Sequence, residues 1–592
     1  MEKWVLKNNS SDFSSMAASL GISEEMAKIL VYRGVDTPEK IERYLGANIK
    51  QLYSPVLMQD MDKAACIIES KINENKKIMI VGDYDVDGIM STYILYDALK
   101  NLGAIVDYII PDRITDGFGI NESIIDRAYN LSCDTILTCD NGIAAISQVA
   151  HAKKLGMTVI VTDHHDVVFK QDGDNKEYIL PDADAVVNPH RPKSEYPFKD
   201  ICGAAVAYKL VIHLYEKMGG SKAAGLATDK YVQYAGIATV CDIMPLFDEN
   251  RVMVKECLSK LSDTDNIGLR ELIRASGAKK DENSVLDAYH IGFIIGPCLN
   301  AAGRLKTADY AVKLLCSTDE AQASKYAVML VGLNEERKQM TESGTNRIIE
   351  EIDTGDMKND KVLVAYAKGC HESIAGIIAG RLKERYNRPA IVITDGGADC
   401  KGSGRSIEAY NMYEELVGVG DLFLKFGGHP MAAGLSLIKD NIPLLRKKLN
   451  DNCALTDEDL VKKTVIDVVM NPGRITTDFV RQLDLLEPFG NGNEKPVFAA
   501  SRVRILKAQT VGKAKKFLKF EMESEGAIFG CIYFGDSEEF DKEITDKYGE
   551  SVLRSIYDGM TDNIAVSILY YPKINEFRNN ISVEIIIKSI KY

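Results

Sequence analysis

Hydrophobic and polar positions divide the chain into stretches with different periodicities. From residue 77, short apolar runs such as KIMIVG, TILTC and TVIVT alternate with amphipathic stretches such as GIMSTYILYDALKNLG. Short strands that alternate with helices are typical of a mainly parallel sheet with helices on both faces. The pattern therefore predicts an α/β domain that begins near residue 76.

The remaining stretches predict a multidomain α/β protein. KVLVAYAKG, SIAGIIAGRLKERY and PAIVITD predict a smaller α/β domain, and VGLNEERKQMTESGTNRIIEEI predicts a long exposed helix before it. Short strands and turns near the C-terminus predict a small antiparallel β-barrel. The predicted parts are an N-terminal helical segment (1–75), a parallel-sheet domain (76–325), a connecting helix (326–355), the smaller domain (356–458) and the barrel (459–592).

Composition excludes several classes of protein. The 592 residues, 46% of them hydrophobic and 27% charged, suit several ordinary globular domains. With 72 Lys and Arg against 86 Asp and Glu, the net charge of −14 argues against a uniformly basic nucleic-acid-binding surface. The start lacks a secretory pattern, and no apolar run reaches about 18 residues, so we expect a cytoplasmic protein without a membrane contact. The 12 cysteines include no CxxC pair and are expected to be reduced.

Acidic side chains follow three of the predicted strands. The carboxyl ends of neighbouring parallel strands meet at one crevice, so these side chains are expected to converge. A single Asp at such a position usually caps a turn or helix, and Gly88 fits a tight turn, but three successive strand ends favour a metal site. The residues are Asp83, Asp85, Asp87, Asp140 and Asp163, followed by His164 and His165.

This cluster predicts a centre with two divalent cations. Several carboxylates in one crevice repel each other and raise one another's pKa unless cations neutralise them. Aspartates with imidazole and no thiolate suit Mg²⁺ or Mn²⁺, and the histidine favours Mn²⁺, with Mg²⁺ as the alternative. The number of ligands exceeds the need of one ion, and two ions about 3.5–4 Å apart suit phosphoester hydrolysis.

Four motifs carry a family resemblance. GDYDVDG, CDNG, VTDHH and VCDIMP, in this order, resemble the motifs of the DHH phosphoesterase superfamily, and their arrangement resembles its RecJ branch. IGPCLNAAGR, GSGRS and FGGHPMAAG resemble later RecJ motifs, the last two in a DHHA1-type domain. The resemblance covers about residues 75–592 and implies that the barrel is an OB-type domain.

The resemblance also implies roles for single residues. Asp83, Asp85 and Asp140 would hold one ion. Asp87, Asp140, His164 and Asp242 would hold the other, so that Asp140 bridges the two ions. Without the family pattern, Asp242 would be interpreted as the capping acid of a buried helix. His165 would approach the scissile phosphate or, alternatively, orient His164, and the predicted catalytic residues are His165, Asp140 and Asp163.

An enzyme that trims a strand from its end needs a pocket for the terminal phosphate. Arginine forks, hydroxyls and backbone N–H groups suit this task, and the glycine-rich segments are expected to be loops that approach the anion or, alternatively, plain turns. The resemblance implies that the 5′-phosphate residues are Arg113, Asn300, Arg304, Ser403, Arg405, Gly428 and His429. Two positions depart from the family pattern, since Cys298 replaces a common Arg and Cys370 a frequent Trp.

Positive charge is concentrated in residues 501–520, which contain no acid. Lysines that track a nucleic-acid backbone and phenylalanines that stack on bases are typical of single-strand-binding barrels. Phe517 and Phe520 could instead face the barrel core. The predicted DNA-binding residues are Arg502, Arg504, Lys513, Lys515, Lys516, Phe517 and Lys519.

These features together predict a single-stranded-DNA-specific 5′→3′ exonuclease. It would release 5′-mononucleotides in DNA repair and recombination, act as a monomer, and have single-strand-binding protein and a helicase as candidate partners. Two alternatives remain open: a DHH-family hydrolase of short oligonucleotides or small nucleotides, and an inactive replisome scaffold. Cleavage of dinucleotides in preference to long strands would favour the first, and an inactive wild-type protein the second.

Overall fold

The computed structural model describes residues 2–8, 11–172, 175–279, 281, 284–397, 399–512, 516–560, 564–577 and 580–592. The chain forms two compact units. The larger unit comprises Asn48–Met244 and Val252–Lys462, and the smaller comprises Met1–Ala47, Pro245–Arg251 and Lys463–Tyr592. Among the described residues, no helix combines the length and apolar character that a bilayer crossing requires.

The strands and helices follow the predicted alternation. The strands are β1 (Glu2–Leu6), β2 (Lys77–Val81), β3 (Ile105–Ile109), β4 (Thr135–Cys139), β5 (Thr158–Thr162), β6 (Phe169–Asp172), β7 (Asn175–Tyr178), β8 (Ala185–Val187), β9 (Leu363–Tyr366), β10 (Ala390–Gly396), β11 (Asp399–Arg405), β12 (Phe423–His429), β13 (Ala432–Leu437), β14 (Lys462–Ile466), β15 (Val468–Val469), β16 (Phe498–Val511), β17 (Phe517–Ser524), β18 (Ala527–Tyr533), β19 (Ala565–Phe577) and β20 (Asn580–Lys591). The helices are α1 (Phe13–Leu20), α2 (Glu24–Tyr32), α3 (Pro38–Gly46), α4 (Met61–Asn73), α5 (Val86–Asn101), α6 (Glu122–Asn130), α7 (Ile146–Lys154), α8 (Gly203–Cys241), α9 (Asp248–Leu261), α10 (Ile267–Ser276), α11 (Ala288–His290), α12 (Gly296–Leu305), α13 (Asp309–Leu315), α14 (Glu320–Thr354), α15 (Ala375–Tyr386), α16 (Met412–Val417), α17 (Ile442–Asp451), α18 (Thr477–Asp484), α19 (Ser537–Tyr548) and α20 (Glu550–Asp558).

The larger unit contains the predicted parallel sheet. Its strand order is β3-β2-β4-β5-β8, and all four neighbouring pairs are parallel. Every residue of β4 is buried, because helices cover both faces of a sheet of this type and leave no strand position to solvent. The carboxyl ends of β2, β4 and β5 therefore lie side by side, which confirms the predicted fold class.

A second sheet in the larger unit has the order β12-β13-β11-β10-β9. Only β9 and β10 are parallel, and the other three pairs are antiparallel. The glycine-rich segments GSGRS and FGGH, expected to be loops, lie largely in β11 and β12. That expectation is wrong because ladder hydrogen bonds to β13 hold both segments extended despite their glycines.

The smaller unit contains the predicted C-terminal barrel. Strands β16, β17, β18, β20 and β19 pair in this order, and β16 pairs with β19 to close the barrel. The barrel is antiparallel apart from the parallel pair β18–β20. Apolar residues of α2 and α3 share the barrel's hydrophobic core. The smaller unit therefore combines the N-terminal residues up to Ala47 with the barrel. The domain boundaries given above stay predictions.

Candidate metal centre

Acidic side chains meet at the carboxyl edge of the parallel sheet. Three sets of side chains each bring their ligand atoms within 4.8 Å of one another. The sets are Asp83, Asp85 and Asp140; Asp87, His164 and Asp242; and Asp140, His164 and His165. All six ligands predicted for two ions are thereby brought together.

His164 and Asp140 lie at the middle of this cluster. His164 Nε2 is 3.1 Å from Asp140 Oδ1, 3.6 Å from Asp87 Oδ2 and 3.8 Å from Asp242 Oδ2. Burial lowers the pKa of His164, so its imidazole favours the neutral form that binds metals. Asp140 belongs to two of the three sets, as a bridging ligand would.

Local structure fixes the direction of each carboxylate. Asp85 caps α5 by accepting a hydrogen bond from the Gly88 N–H at 3.0 Å. Asp87 accepts hydrogen bonds from the N–H groups of Gly203 and Ala204 at 2.6 and 2.7 Å, where α8 begins. Asp140 follows β4 with a φ of 60°, a left-handed conformation that few non-glycine residues adopt. The carboxylates are thus oriented before any ion binds.

The cluster carries uncompensated negative charge. Asp83 and Asp140 are only 1% and 2% exposed, and among the described residues the Oδ1 atom of each accepts no hydrogen bond of suitable geometry, although His164 Nε2 lies near Asp140 Oδ1. Burial raises the pKa of both carboxyls well above the usual range, and neighbouring aspartates add to the effect. Burial also raises the pKa of Asp242 to about 8. Buried oxygens without partners, in a set of oxygen and imidazole donors, fit divalent cations.

The pKa of Asp163 is lowered and that of His165 is raised, which is the reverse of the shifts at Asp83 and His164. Burial would raise the pKa of Asp163, but its contact with His165 and the N–H groups of Ile143 and His164 outweighs burial and lowers the pKa. Burial would lower the pKa of His165, but the same contact raises it to about 9. The Asp163 carboxylate therefore orients the His165 ring at the edge of the cluster and favours its protonated form.

Three of the predicted phosphate residues, Arg113, Arg304 and Arg405, are arginines whose charges influence one another. Arg304 Nη1 donates to the Ser373 carbonyl at 2.7 Å, and Arg405 Nη1 donates to Ser403 Oγ at 3.1 Å. The Arg113 guanidinium lies 4.8 Å from the centre of the Tyr84 ring. In the part of the chain that the structure describes, these three arginines form no ion pair with a carboxylate.

This arrangement leaves positive charge that an anion could neutralise. Burial, together with the charges of Arg113, Arg337 and Arg405, lowers the pKa of Arg304 to about 10. The other predicted residues lie in two places. Asn300 Oδ1 accepts a hydrogen bond from the Val86 N–H at 3.2 Å, next to the metal ligands. Gly428 and His429 lie in β12, where His429 and Arg405 both pair with Ala432 of β13.

Two residues that support the site, Asn141 and Gly376, were not predicted from the sequence. Asn141 donates from Nδ2 to the carbonyls of Val81, Gly82 and Cys139, and so ties the ends of β2 and β4 together. Its position directly after Asp140 in CDNG could have revealed it. Gly376 packs closely on Arg405, because a Cβ atom at this position would come within 2.8 Å of Arg405 Nη2. No local sequence pattern predicts this contact.

The residues predicted on the barrel have different surroundings. Phe520 is buried in the core, whereas Phe517 is 38% exposed and packs edge-to-face on exposed Phe534 at 5.3 Å. Arg504 forms an ion pair with Glu523 across the β16–β17 ladder, so its charge is already neutralised. Arg502, Lys516 and Lys519 are exposed, and Lys513 and Lys515 lie outside the described residues.

Cys298 and Cys370, the two residues that depart from the family pattern, each contact neighbouring residues in the structure. Cys298 is buried, and its Sγ lies 3.2 Å from the Ile294 carbonyl and 3.4 Å from Asn334 Nδ2. Cys370 Sγ lies 3.7 Å from Arg347 Nη2. These contacts involve none of the predicted metal ligands.

Comparison with known proteins agrees with the domain order. The chain matches the DHH family N-terminal domain over residues 77–238, the DHHA1 domain over 359–455 and the RecJ OB domain over 466–589. It is 35% identical to the single-stranded-DNA-specific exonuclease RecJ of Bacillus subtilis, over 99% of this chain and 70% of that protein. It is 30% identical to the Escherichia coli RecJ exonuclease over 95% of both chains. Its structure resembles the Mn²⁺ complex of Thermus thermophilus RecJ with a TM-score of 0.80 and 25% identity, over 100% of this chain and 79% of that one.

Proposed function

The chain belongs to the RecJ family of DHH phosphoesterases, and from this premise we propose that it degrades single-stranded DNA from the 5′ end. It is a metal-dependent exonuclease, and 5′-mononucleotides would be its product. The observation that carries the proposal is the set of aspartates around His164, two of which, Asp83 and Asp140, each present a buried oxygen atom that accepts no hydrogen bond within the described part of the chain. This activity would serve DNA repair and recombination.

Two divalent cations, Mn²⁺ preferred and Mg²⁺ the alternative, would supply charge neutralisation and Lewis acidity at the scissile phosphodiester. Asp83 and Asp85 would hold one ion. Asp87, His164 and Asp242 would hold the other, and Asp140 would contact both. The backbone N–H groups of Gly203 and Ala204 at the start of α8 hold the Asp87 carboxylate, whose Oδ2 lies 3.6 Å from His164 Nε2.

His165 would act on the substrate itself. Asp163 holds its Nδ1 at 2.7 Å, so the ring is oriented and its protonated form is favoured. A protonated imidazole beside the metal ligands can stabilise negative charge on the phosphate or transfer a proton to the departing oxygen. Asp163 contributes by positioning this ring and by supporting its charge.

The arginine group would set the polarity of digestion. A terminal phosphate carries more negative charge than an internal one, and arginine forks recognise its oxygens in pairs. Arg113, Arg304 and Arg405 would bind the 5′ phosphate. Asn300, Ser403, Gly428 and His429 would line the same pocket. Anchoring this end would present the adjoining phosphodiester to the metal centre.

The barrel would also bind single-stranded DNA. The exposed side chains Arg502, Lys516, Phe517 and Lys519 suit a backbone and its bases, as would Lys513 and Lys515. We expect Arg504 to contribute less, because Glu523 already neutralises it. We further propose that the protein is a cytoplasmic monomer. Its candidate partners are single-strand-binding protein and a helicase.

One experiment tests the proposal. Purified protein is incubated with 5′-labelled single strands, duplexes and dinucleotides that carry a 5′ phosphate, with Mn²⁺, Mg²⁺ or chelator. We expect mononucleotides from the single strand, faster with Mn²⁺, and no products with chelator. Faster cleavage of dinucleotides than of long strands, or release from the 3′ end, would contradict the proposal.

A further inference from the structure

A further arginine, Arg337 on the connecting helix α14, adds to the positive charge around Arg304. Arg337 is half-buried, and its charge contributes to the lowered pKa of Arg304. Burial, followed by the charge of exposed Arg381 on α15, lowers the pKa of Arg337 itself. Positive charge therefore continues from Arg304 to Arg337 and Arg381.

No carboxylate forms an ion pair with this extension in the part of the chain that the structure describes. Glu335, whose charge acts on Arg337, is itself ion-paired with Lys338 at 2.7 Å. Guanidinium groups that repel one another and are partly buried lower the stability of the protein. Their arrangement is therefore explained by an anion that they bind.

Hydrogen bonds fix the direction of the Arg337 guanidinium. It donates from Nε at 3.1 Å and from Nη2 at 2.9 Å to Asn334 Oδ1, one turn earlier in α14. Asn334 is only 2% exposed, and its Nδ2 donates to Cys298 Sγ at 3.4 Å. The Cys298 thiol donates in turn to the Ile294 carbonyl at 3.2 Å. The amide is thus held at both ends, with its oxygen atom towards Arg337.

These bonds leave the other edge of the guanidinium available. A guanidinium has five N–H donors, and Asn334 Oδ1 occupies the edge formed by Nε and Nη2. Among the described residues, Nη1 donates no hydrogen bond. The edge formed by Nη1 and Nη2 matches two oxygen atoms of a phosphate. Because an amide is neutral, Asn334 orients the positive charge without cancelling it.

We propose that Arg337 binds an internal phosphate of the DNA strand, and that Asn334 is the residue that positions it. The three arginines of the proposed 5′-phosphate pocket already supply the charge that a terminal phosphate requires, so the additional guanidinium is assigned to a neighbouring phosphate. A phosphate contact carries no base information, as a non-specific exonuclease requires. The inference rests on the proposed function, because it assumes a strand anchored at its 5′ end.

A second interpretation is that Arg337 only supports the fold or the orientation of Arg304. The two interpretations differ in whether the charge of one internal phosphate matters to Arg337. A methylphosphonate replaces a single phosphate by a neutral group of similar shape. A cycle of two changes, one in the protein and one in the DNA, therefore separates the interpretations.

The cycle measures strand binding by fluorescence anisotropy in chelator, so that no turnover occurs. With an unmodified strand, Arg337→Ala and Arg337→Gln should lower affinity by about 10- to 150-fold, the value of a hydrogen bond to a charged group. A methylphosphonate at one of the first internal linkages should cost the wild type a similar factor and both variants little more. Variants that lose as much as the wild type at every methylphosphonate position would overturn the proposal.

Salt dependence and end preference provide a second readout. Loss of one phosphate contact should reduce the slope of log affinity against log salt concentration by about 0.7. The ratio of affinities for 5′-phosphate and 5′-hydroxyl strands should stay unchanged in Arg337→Ala. Loss of that preference would contradict the assignment to an internal phosphate, because it would place Arg337 in the terminal pocket.

Asn334→Asp tests the positioning role. A carboxylate at this place should neutralise Arg337, so both affinity and salt slope should fall as in Arg337→Ala although the arginine is present. Unchanged affinity in a variant that unfolds at the wild-type temperature would contradict this role, and Arg337→Gln tests the phosphate contact without altering Asn334. Arg347→Ala is the matched control, since this exposed arginine of α14 donates to the Lys368 carbonyl at 2.9 Å, about 15 Å along the helix. A wild type that binds no single strand would contradict the proposed function instead.

Discussion

His165 Nδ1 lies 2.7 Å from Asp163 Oδ1, and each group shifts the pKa of the other. Asp163 is buried and His165 is partly exposed, so burial and pairing act against each other in both residues. Pairing prevails, because the pKa of His165 rises to about 9 and that of Asp163 falls below its usual value. The pair is therefore an ion pair at neutral pH in the metal-free protein.

Asp163→Asn should lower the pKa of His165 in the metal-free protein. The amide keeps the shape of the carboxylate but removes its charge, so burial then dominates and disfavours the imidazolium. Histidine-selective NMR titration in chelator would measure the shift. Asp126→Asn is the control, since Asp126 pairs with His151 on the surface and should leave His165 unchanged. An unaltered His165 titration in Asp163→Asn would contradict this account.

The metal-free protein should lose stability as the pH rises from about 5 to 9. The pKa of Asp242 is raised to about 8 in the folded protein, so the folded state binds more protons than the unfolded state above the ordinary pKa of 3.8. Stability then falls with rising pH, by at most about 1.4 kcal/mol per pH unit for each such group. His165 acts in the same direction, because its raised pKa contributes stability that is lost as the pH passes about 9.

Mn²⁺ should therefore stabilise the protein more at pH 8 than at pH 6. Bound cations replace the protons that the aspartates hold in the metal-free protein, and protons compete less at the higher pH. Thermal unfolding with Mn²⁺ and with chelator, at both pH values, measures the difference. Asp242→Asn should weaken the pH dependence in chelator, and a metal-free protein whose stability rises towards pH 8 would contradict the prediction.

Asp140→Asn should abolish hydrolysis while leaving strand binding nearly intact. Asp140 shares a ligand set with Asp83 and Asp85, and its Oδ1 lies 3.1 Å from His164 Nε2 of the other proposed ion site, so its loss should affect both ions. We expect a decrease in kcat on the order of 10⁴-fold, as when a central catalytic group is removed. Single-turnover cleavage and fluorescence anisotropy measure the two properties separately. The surface variant Asp126→Asn should be fully active, and substantial activity in Asp140→Asn would refute the bridging role.

The sequence predicted the main site because parallel strands bring distant residues together by rule. Asp83, Asp140 and His164 follow adjacent strands, and this alone placed them at one edge of the sheet. Asp242 follows no strand. It lies at the end of α8, whose left-handed interruption at Gly220 has no simple signal in the sequence, so only the family motif identified it.

Other structural features could not be predicted, because they depend on contacts with residues that are distant in the sequence. Gly402 and Gly427 belong to segments that favour turns, but pairing with β13 draws both into strands. Likewise, the apolar faces of α2 and α3 predict helices without indicating which core they join. In both cases contacts distant in sequence override or complete a local preference.

Arg405→Ala should remove the preference for a phosphorylated 5′ end. Arg405 is mostly buried, bonds to Ser403 and forms no ion pair in the described part of the chain, so a phosphate would provide its missing counter-charge. The ratio of kcat/KM for 5′-phosphate and 5′-hydroxyl strands should approach one, and Arg405→Lys should restore it only in part. Arg385→Ala, an exposed arginine on α15, is the control. An unchanged ratio would exclude Arg405 from the pocket.

Gly203→Ala should weaken metal binding without contacting a metal ion. A Cβ atom at this position would come within 2.7 Å of Asp140 Cβ and 2.8 Å of Asp140 Oδ1, so the carboxylate or the start of α8 must shift. The same shift would disturb the N–H groups that orient Asp87. Isothermal titration with Mn²⁺ should show affinity reduced by about 10- to 100-fold, the usual effect of disturbing a ligand's support.

Gly225→Ala is the matched control for this prediction. It lies in the same helix, but a Cβ atom there meets no atom within 4 Å. The substitution should leave Mn²⁺ affinity unchanged and raise stability by about 0.5–1 kcal/mol, because alanine loses less entropy than glycine in a helix. Equal Mn²⁺ affinity in both variants would mean that α8 can retreat from Asp140 at no cost, and that its close approach does not position the ligand.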